Sequence, residues 1–156
     1  MDSPTYPELV EDVILGCAFP EAEQGLNIGR IASQMAGFPV ETTGATVNRF
    51  CSSGLEAIAL ASLRVMAGWS DVVIGGGLES MTYVPMGGNL PRPHPEFTQK
   101  GAQVYTSMGI TAENVANRYN VSRQDQDAFA GKTPLLPLTA IRLAQVGFGA
   151  AWAVLA

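Results

Sequence analysis

Cys51 is the residue best placed by its neighbours to do covalent chemistry. It sits in Val47-Asn48-Arg49-Phe50-Cys51-Ser52-Ser53-Gly54-Leu55. The β-branched and apolar run Ala45 to Phe50 predicts a strand, and Ser52 to Ala67 predicts a helix stopped by Gly68. A cysteine between the two faces the first N–H groups of the helix, which have no intrahelical acceptors. The helix dipole adds partial positive charge there, worth roughly 0.3–1 kcal/mol and up to ~2 when partly buried. Both effects favour thiolate over a thiol whose ordinary pKa is about 8.5. The same N–H groups could hold the oxyanion formed when a thioester is attacked. Full activation also needs a base. Free cysteines are, however, often buried and inert, so turn and helix alone leave a structural role open.

The elements that must position this turn follow from local pattern. Val13-Ile14-Leu15, closed by Gly16, predicts a strand, and Asn27 to Ala36 a helix ended by Gly37. Leu55, Ile58, Leu63 and Met66, with Ala57, Ala61 and Ala67 on other faces, predict a helix buried nearly all round after Cys51. Asp71 to Ile74 predicts a strand running into Gly75-Gly76-Gly77. That glycine run lacks the spacing of a dinucleotide fingerprint and reads as close backbone approach near the cysteine turn. Residues 84–103 form a Pro/Gly-rich loop region. Thr111 to Tyr119 predicts a helix with Ala112, Val115, Ala116 and Tyr119 on one face. Ser122 and Asp125 form a capping-box-like start to a helix from Gln124 to Ala130, stopped by Gly131 and Pro134. Strands alternating with helices argue an α/β fold with a largely parallel sheet, and ligands in such sheets gather at the carboxyl ends of strands, where Cys51 lies.

Composition narrows the function classes. The chain has 156 residues and a net charge of −5, with no basic stripe for nucleic acid. Two cysteines and one histidine, His94, are too few for a disulfide framework or a zinc site. Met-Asp-Ser-Pro puts an acid where a signal peptide needs a cation, and nothing before residue 130 reads as a membrane span. A cytoplasmic protein with reduced thiols is expected. The charge is uneven: all fourteen acidic side chains lie in residues 1–130, whereas 131–156 carry only Lys132 and Arg142 in an otherwise small, apolar or Pro/Gly-rich tail. Pro137, Arg142 and Gln145 argue against a span there.

Several of these segments are similar to the thiolase family in the family's order. Val47 through Leu60 (VNRFCSSGLEAIAL) resembles its nucleophile motif, and Val73 through Met81 (VIGGGLESM) its following glycine-rich strand and turn. Met108 through Ala116 and Ser122 through Ala130 resemble later segments, and Val13 through Cys17 with Asn27 through Ala36 earlier ones. The Gly-Gly-Gly-Leu-Glu-Ser-Met run favours thiolases over the related ketoacyl synthases. Arg49-Phe50-Cys51-Ser52-Ser53 and Val84-Pro85-Met86-Gly87-Gly88 look more like degradative 3-ketoacyl-CoA thiolases than the biosynthetic acetoacetyl-CoA type. The resemblance covers roughly residues 8–130.

The resemblance implies a thiolase-like N-terminal half: an incomplete βαβ-type parallel or mixed sheet with helices, plus the 84–108 loop region. It implies an acetyl-CoA C-acyltransferase of fatty acid β-oxidation, in which Cys51 attacks a 3-ketoacyl-CoA, keeps the acyl group as a thioester and passes it to CoA. The Cys51 N–H would serve one oxyanion site, and Met108 matches a methionine lining the acyl pocket. No metal or resident cofactor is implied; CoA and acyl-CoA are substrates. A homo-oligomer, or association with thiolase subunits, is expected.

The family's second half supplies a Gly-His-Pro histidine, a second cysteine and an Asn-Glu segment, and its opening strand carries Arg-Thr-Pro; this sequence has none of these motifs. His94, in Pro91-Arg92-Pro93-His94-Pro95, matches no catalytic motif, and Cys17 matches no second nucleophile. Little turnover is expected from the isolated chain, and a non-catalytic truncated remnant that only associates with thiolase subunits is the alternative. Residues 131–156 resemble nothing in the family, so a frame-disrupted or truncated gene is expected. DNA sequence beyond the Ala130 codon should show a thiolase-like second half in another frame; its absence from every frame would count against this.

Overall fold

The computed structural model describes residues 7–101 and 103–132. They fall into two compact units that part between Pro91 and Arg92. The first contains β1 (Asp12–Gly16), α1 (Ile28–Met35), β2 (Thr43–Val47), α2 (Ser53–Met66) and β3 (Val73–Gly77). The three strands form one parallel sheet in the order β2-β1-β3. The α/β reading with a parallel sheet therefore holds.

Strand alternation puts the two helices on opposite faces of this sheet. On β2, Gly44 lies against Arg30 of α1 and Thr46 accepts the Gly29 N–H at 2.9 Å. Ala45 and Val47, which alternate with them along the strand, pack on the other face with the α2 core. The same alternation places Ile14 of β1 and Val73 of β3 with Ala57 and Ala61 of α2 as the buried cluster. Full burial of an aliphatic side chain of this size contributes about 1.5–3 kcal/mol. Asn27, expected as the first residue of this helix, instead caps α1, accepting the Arg30 N–H at 3.2 Å. Gly37 and Gly68 follow α1 and α2 with φ of +85° and +69°, where a Cβ would be strained.

Three expectations need correction here. The strand before the cysteine ends at Val47, not Phe50, because Phe50 has a φ of +46° and cannot continue a ladder. The strand expected over Asp71 to Ile74 instead runs Val73–Gly77, so Gly75, Gly76 and Gly77 lie within β3 rather than after it. Nor is α2 buried all round. Its buried residues are Ser53, Ala57 and Ala61, while Leu55 is 71% and Met66 82% exposed. The cause is steric: a Cβ at Gly75 would lie 3.0–3.1 Å from Ile58, Ala57 and Ala61, so α2 sits close to the sheet on its small residues and turns its large ones away.

The second unit contains α3 (Pro95–Gln99), α4 (Met108–Tyr119) and α5 (Arg123–Lys132). The short α3 lies inside the expected 84–103 loop region, with Pro95 at its first turn. The helix α4 starts three residues before the expected Thr111 and ends at Asn120 in the left-handed conformation. Within its expected apolar face Ala116 is half-buried, while Val115 and Tyr119 are exposed. Ser122 does cap the helix start, the Asp125 N–H donating to Ser122 Oγ at 3.1 Å, but the Asp125 carboxylate accepts the Ser122 hydroxyl at 2.6 Å rather than the Ser122 backbone N–H that would complete the box. The helix α5 continues through Gly131 to Lys132, beyond the expected stop. The rest of the expected tail, 133–156, lies outside the described residues. No helix among the described residues is long and apolar enough to cross a membrane.

Close helix–sheet approach yields a stability test. A Cβ at Gly16 would overlap the Ser53 backbone, whereas one at Gly54 meets nothing within 4 Å. Gly16→Ala should lose at least about 2 kcal/mol in urea unfolding through overpacking. Gly54→Ala should gain ~0.5–1 kcal/mol from helix propensity.

Candidate active site

The candidate site is the five-residue turn between β2 and α2. Asn48 begins it with two contacts. Its Nδ2 donates to the Ala18 carbonyl at 2.9 Å, and its Oδ1 accepts the Phe50 N–H at 2.8 Å, the local bonding that makes asparagine a turn residue. Phe50 then takes its left-handed φ of +46°, which for a bulky residue costs roughly 1–3 kcal/mol and persists only where neighbours over-determine it. Ser53 is the chief such neighbour. Its buried hydroxyl donates to the Phe50 carbonyl at 2.5 Å and accepts the Arg49 N–H at 2.9 Å. The Ser52 and Ser53 N–H groups close on the Arg49 and Phe50 carbonyls, each at 3.0 Å. The Phe19 ring lies 6.0 Å from that of Phe50.

This constraint delivers Cys51 as an exposed free thiol just before α2. Among the described residues its own N–H, and those of Gly54 and Leu55, donate to no protein acceptor. They are the orphan donors a helix start is expected to leave. The Arg49 guanidinium is held by Glu56, with Nε 2.8 Å from the carboxylate, so its charge is largely committed there. A cavity of about 250 Å³ opens beside the turn, lined by Ala18, Phe19, Pro20, Asn48, Phe50 and Gly88 among others. A larger, mostly apolar hollow of about 450 Å³ lies along the later part of α2, between Leu60, Leu63, Trp69 and the strands.

The other named residues lie elsewhere. Cys17 is fully buried one residue past β1, its Sγ 3.7 Å from Glu79 Oε1. Burial, and secondarily the Glu79 charge, push its thiol pKa up. Met108 opens α4 and is exposed; it belongs to the second unit and Cys51 to the first. His94 is exposed at the start of α3, its N–H on the Tyr105 hydroxyl at 2.9 Å and its ring edge-on to Phe97. No group of three His, Cys, Asp or Glu that could hold a metal occurs among the described residues.

Sequence reasoning missed Glu79. Its carboxylate follows β3 and accepts the Ala18 N–H at 2.6 Å, the Phe19 N–H at 3.4 Å and Gln24 Nε2 at 2.5 Å. The buried Gln24 amide in turn accepts the Ser80 N–H at 2.8 Å. The only hint in the sequence is a lone carboxylate two residues after a glycine-rich strand.

The two thiols should differ sharply toward a small alkylating agent. Iodoacetamide near pH 8 should modify one cysteine quickly, and peptide analysis should place it at Cys51. Cys17 should react only on unfolding, since its neutral thiol is stabilised by the fold. The sign is that of a raised pKa: this contribution to stability is complete below the ordinary thiol pKa and is lost as pH climbs through the raised value. Rapid labelling of Cys17 in the folded chain would contradict the geometry.

Known proteins are similar to this chain in sequence and in fold. The family described as thiolase, N-terminal domain, matches residues 2–134. The 3-ketoacyl-CoA thiolase of Bacillus subtilis (strain 168) is 52% identical over 125 residues, covering 80% of this chain and 32% of that protein. The enzyme of the same name from Shewanella denitrificans is 44% identical over 124 residues, with the same coverage of each. The crystal structure of the Bacillus anthracis acetyl-CoA acetyltransferase superposes with a TM-score of 0.68 at 32% identity, covering 90% of this chain and 38% of that one. The chain thus spans about a third of the length of the curated relatives it matches. It belongs to the thiolase family and corresponds to the N-terminal domain of that fold.

Proposed function

We propose that this chain carries the nucleophile of a thiolase-type acyltransferase acting in fatty acid β-oxidation, with Cys51 as the acyl carrier. The observation that carries the reading is the Cys51 turn: an exposed thiol, fixed by a left-handed Phe50, ahead of a helix whose first amides lack acceptors. In the forward reaction the Cys51 thiolate bonds to the keto carbon of a 3-ketoacyl-CoA. The carbon–carbon bond breaks, acetyl-CoA leaves after taking a proton at its α-carbon, and the shortened acyl group remains on Cys51 as a thioester. The thiolate of free CoA then attacks that thioester, releasing the shortened acyl-CoA and restoring Cys51. The Cys51 N–H supports the oxyanion of each attack. Met108 contributes to the acyl pocket. CoA and acyl-CoA are substrates, and neither step calls for a metal or resident cofactor. A cytoplasmic location fits this chemistry.

The chain's share of the reaction is the nucleophile and its frame. General-base assistance is typically worth 10²–10⁴-fold, and the lone histidine, His94, stands just before a short helix in the other unit. The base and the acid of the second step come from the thiolase C-terminal half, so the isolated chain turns over little. The exposed Leu55, Leu63 and Met66 of α2 favour a second reading, in which the chain only associates with thiolase subunits. Residues 1–130 form the thiolase part, and 131–156 a tail unrelated to it.

Intact mass after incubation with acetyl-CoA separates the readings. A single acetyl adduct is expected, retained in Cys17→Ala and lost in Cys51→Ala. No adduct on the folded wild-type chain would favour the associating remnant, and multiple turnovers by the purified chain would overturn the division of labour.

A further inference from the structure

We propose that Glu79 is a positioning residue for Cys51, acting through the loop that leaves β1. The inference rests on the reading of Cys51 as acyl carrier. The path is a continuous set of hydrogen bonds across the ends of all three strands. Glu79, two residues past β3, accepts the N–H groups of Ala18 and Phe19, which follow β1. The Ala18 carbonyl accepts Asn48 Nδ2 at 2.9 Å, and Asn48 Oδ1 accepts the Phe50 N–H at 2.8 Å. Phe50 is the left-handed residue immediately before the nucleophile. The same loop also brings the Phe19 ring against Phe50. Ala18 is therefore the relay, tied by its N–H to Glu79 and by its carbonyl to the nucleophile turn.

The chemistry favours a carboxylate at this position. Two successive backbone amides and the Gln24 side-chain amide all present donors to it, and charge-assisted bonds are the stronger kind. A carboxamide has one acceptor oxygen, so Glu79→Gln turns an NH2 group toward donors and releases part of the loop. Glu79 is itself exposed and outside the buried cluster of Ile14, Ala57, Ala61 and Val73. Its loss should loosen the Cys51 turn while leaving the core packed.

The test compares two reactions of the same thiol in the full chain. In Glu79→Gln, acetylation of Cys51 by acetyl-CoA should fall at least about tenfold, because misplacement of a reacting group is costly. Alkylation of Cys51 by iodoacetamide, which needs exposure but no oxyanion site, should stay within about twofold. Hydrogen exchange at the Phe50 amide should quicken. Asn48→Ala, which breaks the relay with Glu79 intact, should behave the same way and covers the case in which Glu79→Gln does not fold. Unchanged acetylation in Asn48→Ala, or equal losses in acetylation, alkylation and the urea midpoint of Glu79→Gln, would overturn the positioning role. If wild-type Cys51 takes no acetyl group, the carrier reading fails. The Phe50 exchange rate then still decides the coupling: quickened exchange in Glu79→Gln supports it, and unchanged exchange rejects it.

Discussion

The first unit is organised by how closely α2 approaches the sheet. Gly16 of β1 lies against the Ser53 backbone, and Gly75 of β3 against Ala57 and Ala61. Because no side chain separates them, the N-terminus of α2 comes down onto the carboxyl ends of the strands. Ser53 is thereby buried at the point where its hydroxyl can hold both Arg49 and Phe50. The turn that presents Cys51 is a consequence of that packing. Each atom added between helix and sheet would be felt at the Cys51 turn, since interiors transmit strain rather than absorb it.

The site adds a local cost to this frame. Phe50 occupies a backbone region that bulky residues avoid, and three different segments offset that cost: Ser53 from the helix, Asn48 from the strand end and Phe19 from the neighbouring loop. Strain of this sort places a thiol rigidly and keeps it exposed. Arg49, the nearest cation in sequence, is bound to Glu56.

Much of this was legible in the sequence where a single residue decides the local outcome. Gly37 and Gly68 as stops and Ser122 as a helix start appear where expected, because helix ends are a matter of neighbours within four residues. The end of β2 was misread because Phe50 has high strand propensity, and its left-handed conformation is imposed by Ser53 and Phe19. The burial of α2 was misread for a related reason. Hydropathy marks Leu55 and Met66 as core, but the sheet's glycines select alanines for contact. Glu79 could not be found by local reasoning at all, since its partners Ala18 and Phe19 lie some sixty positions earlier.

On the proposed reading, acyl transfer to Cys51 depends on placement at one turn. Peptide mapping of the chain after brief exposure to isotopically labelled acetyl-CoA at neutral pH tests this. The label is expected on Cys51 alone while the chain is folded, with loss of that selectivity in urea. Label on Cys17 or spread over lysines in the folded chain, or equal labelling of Cys51 folded and unfolded, would contradict it.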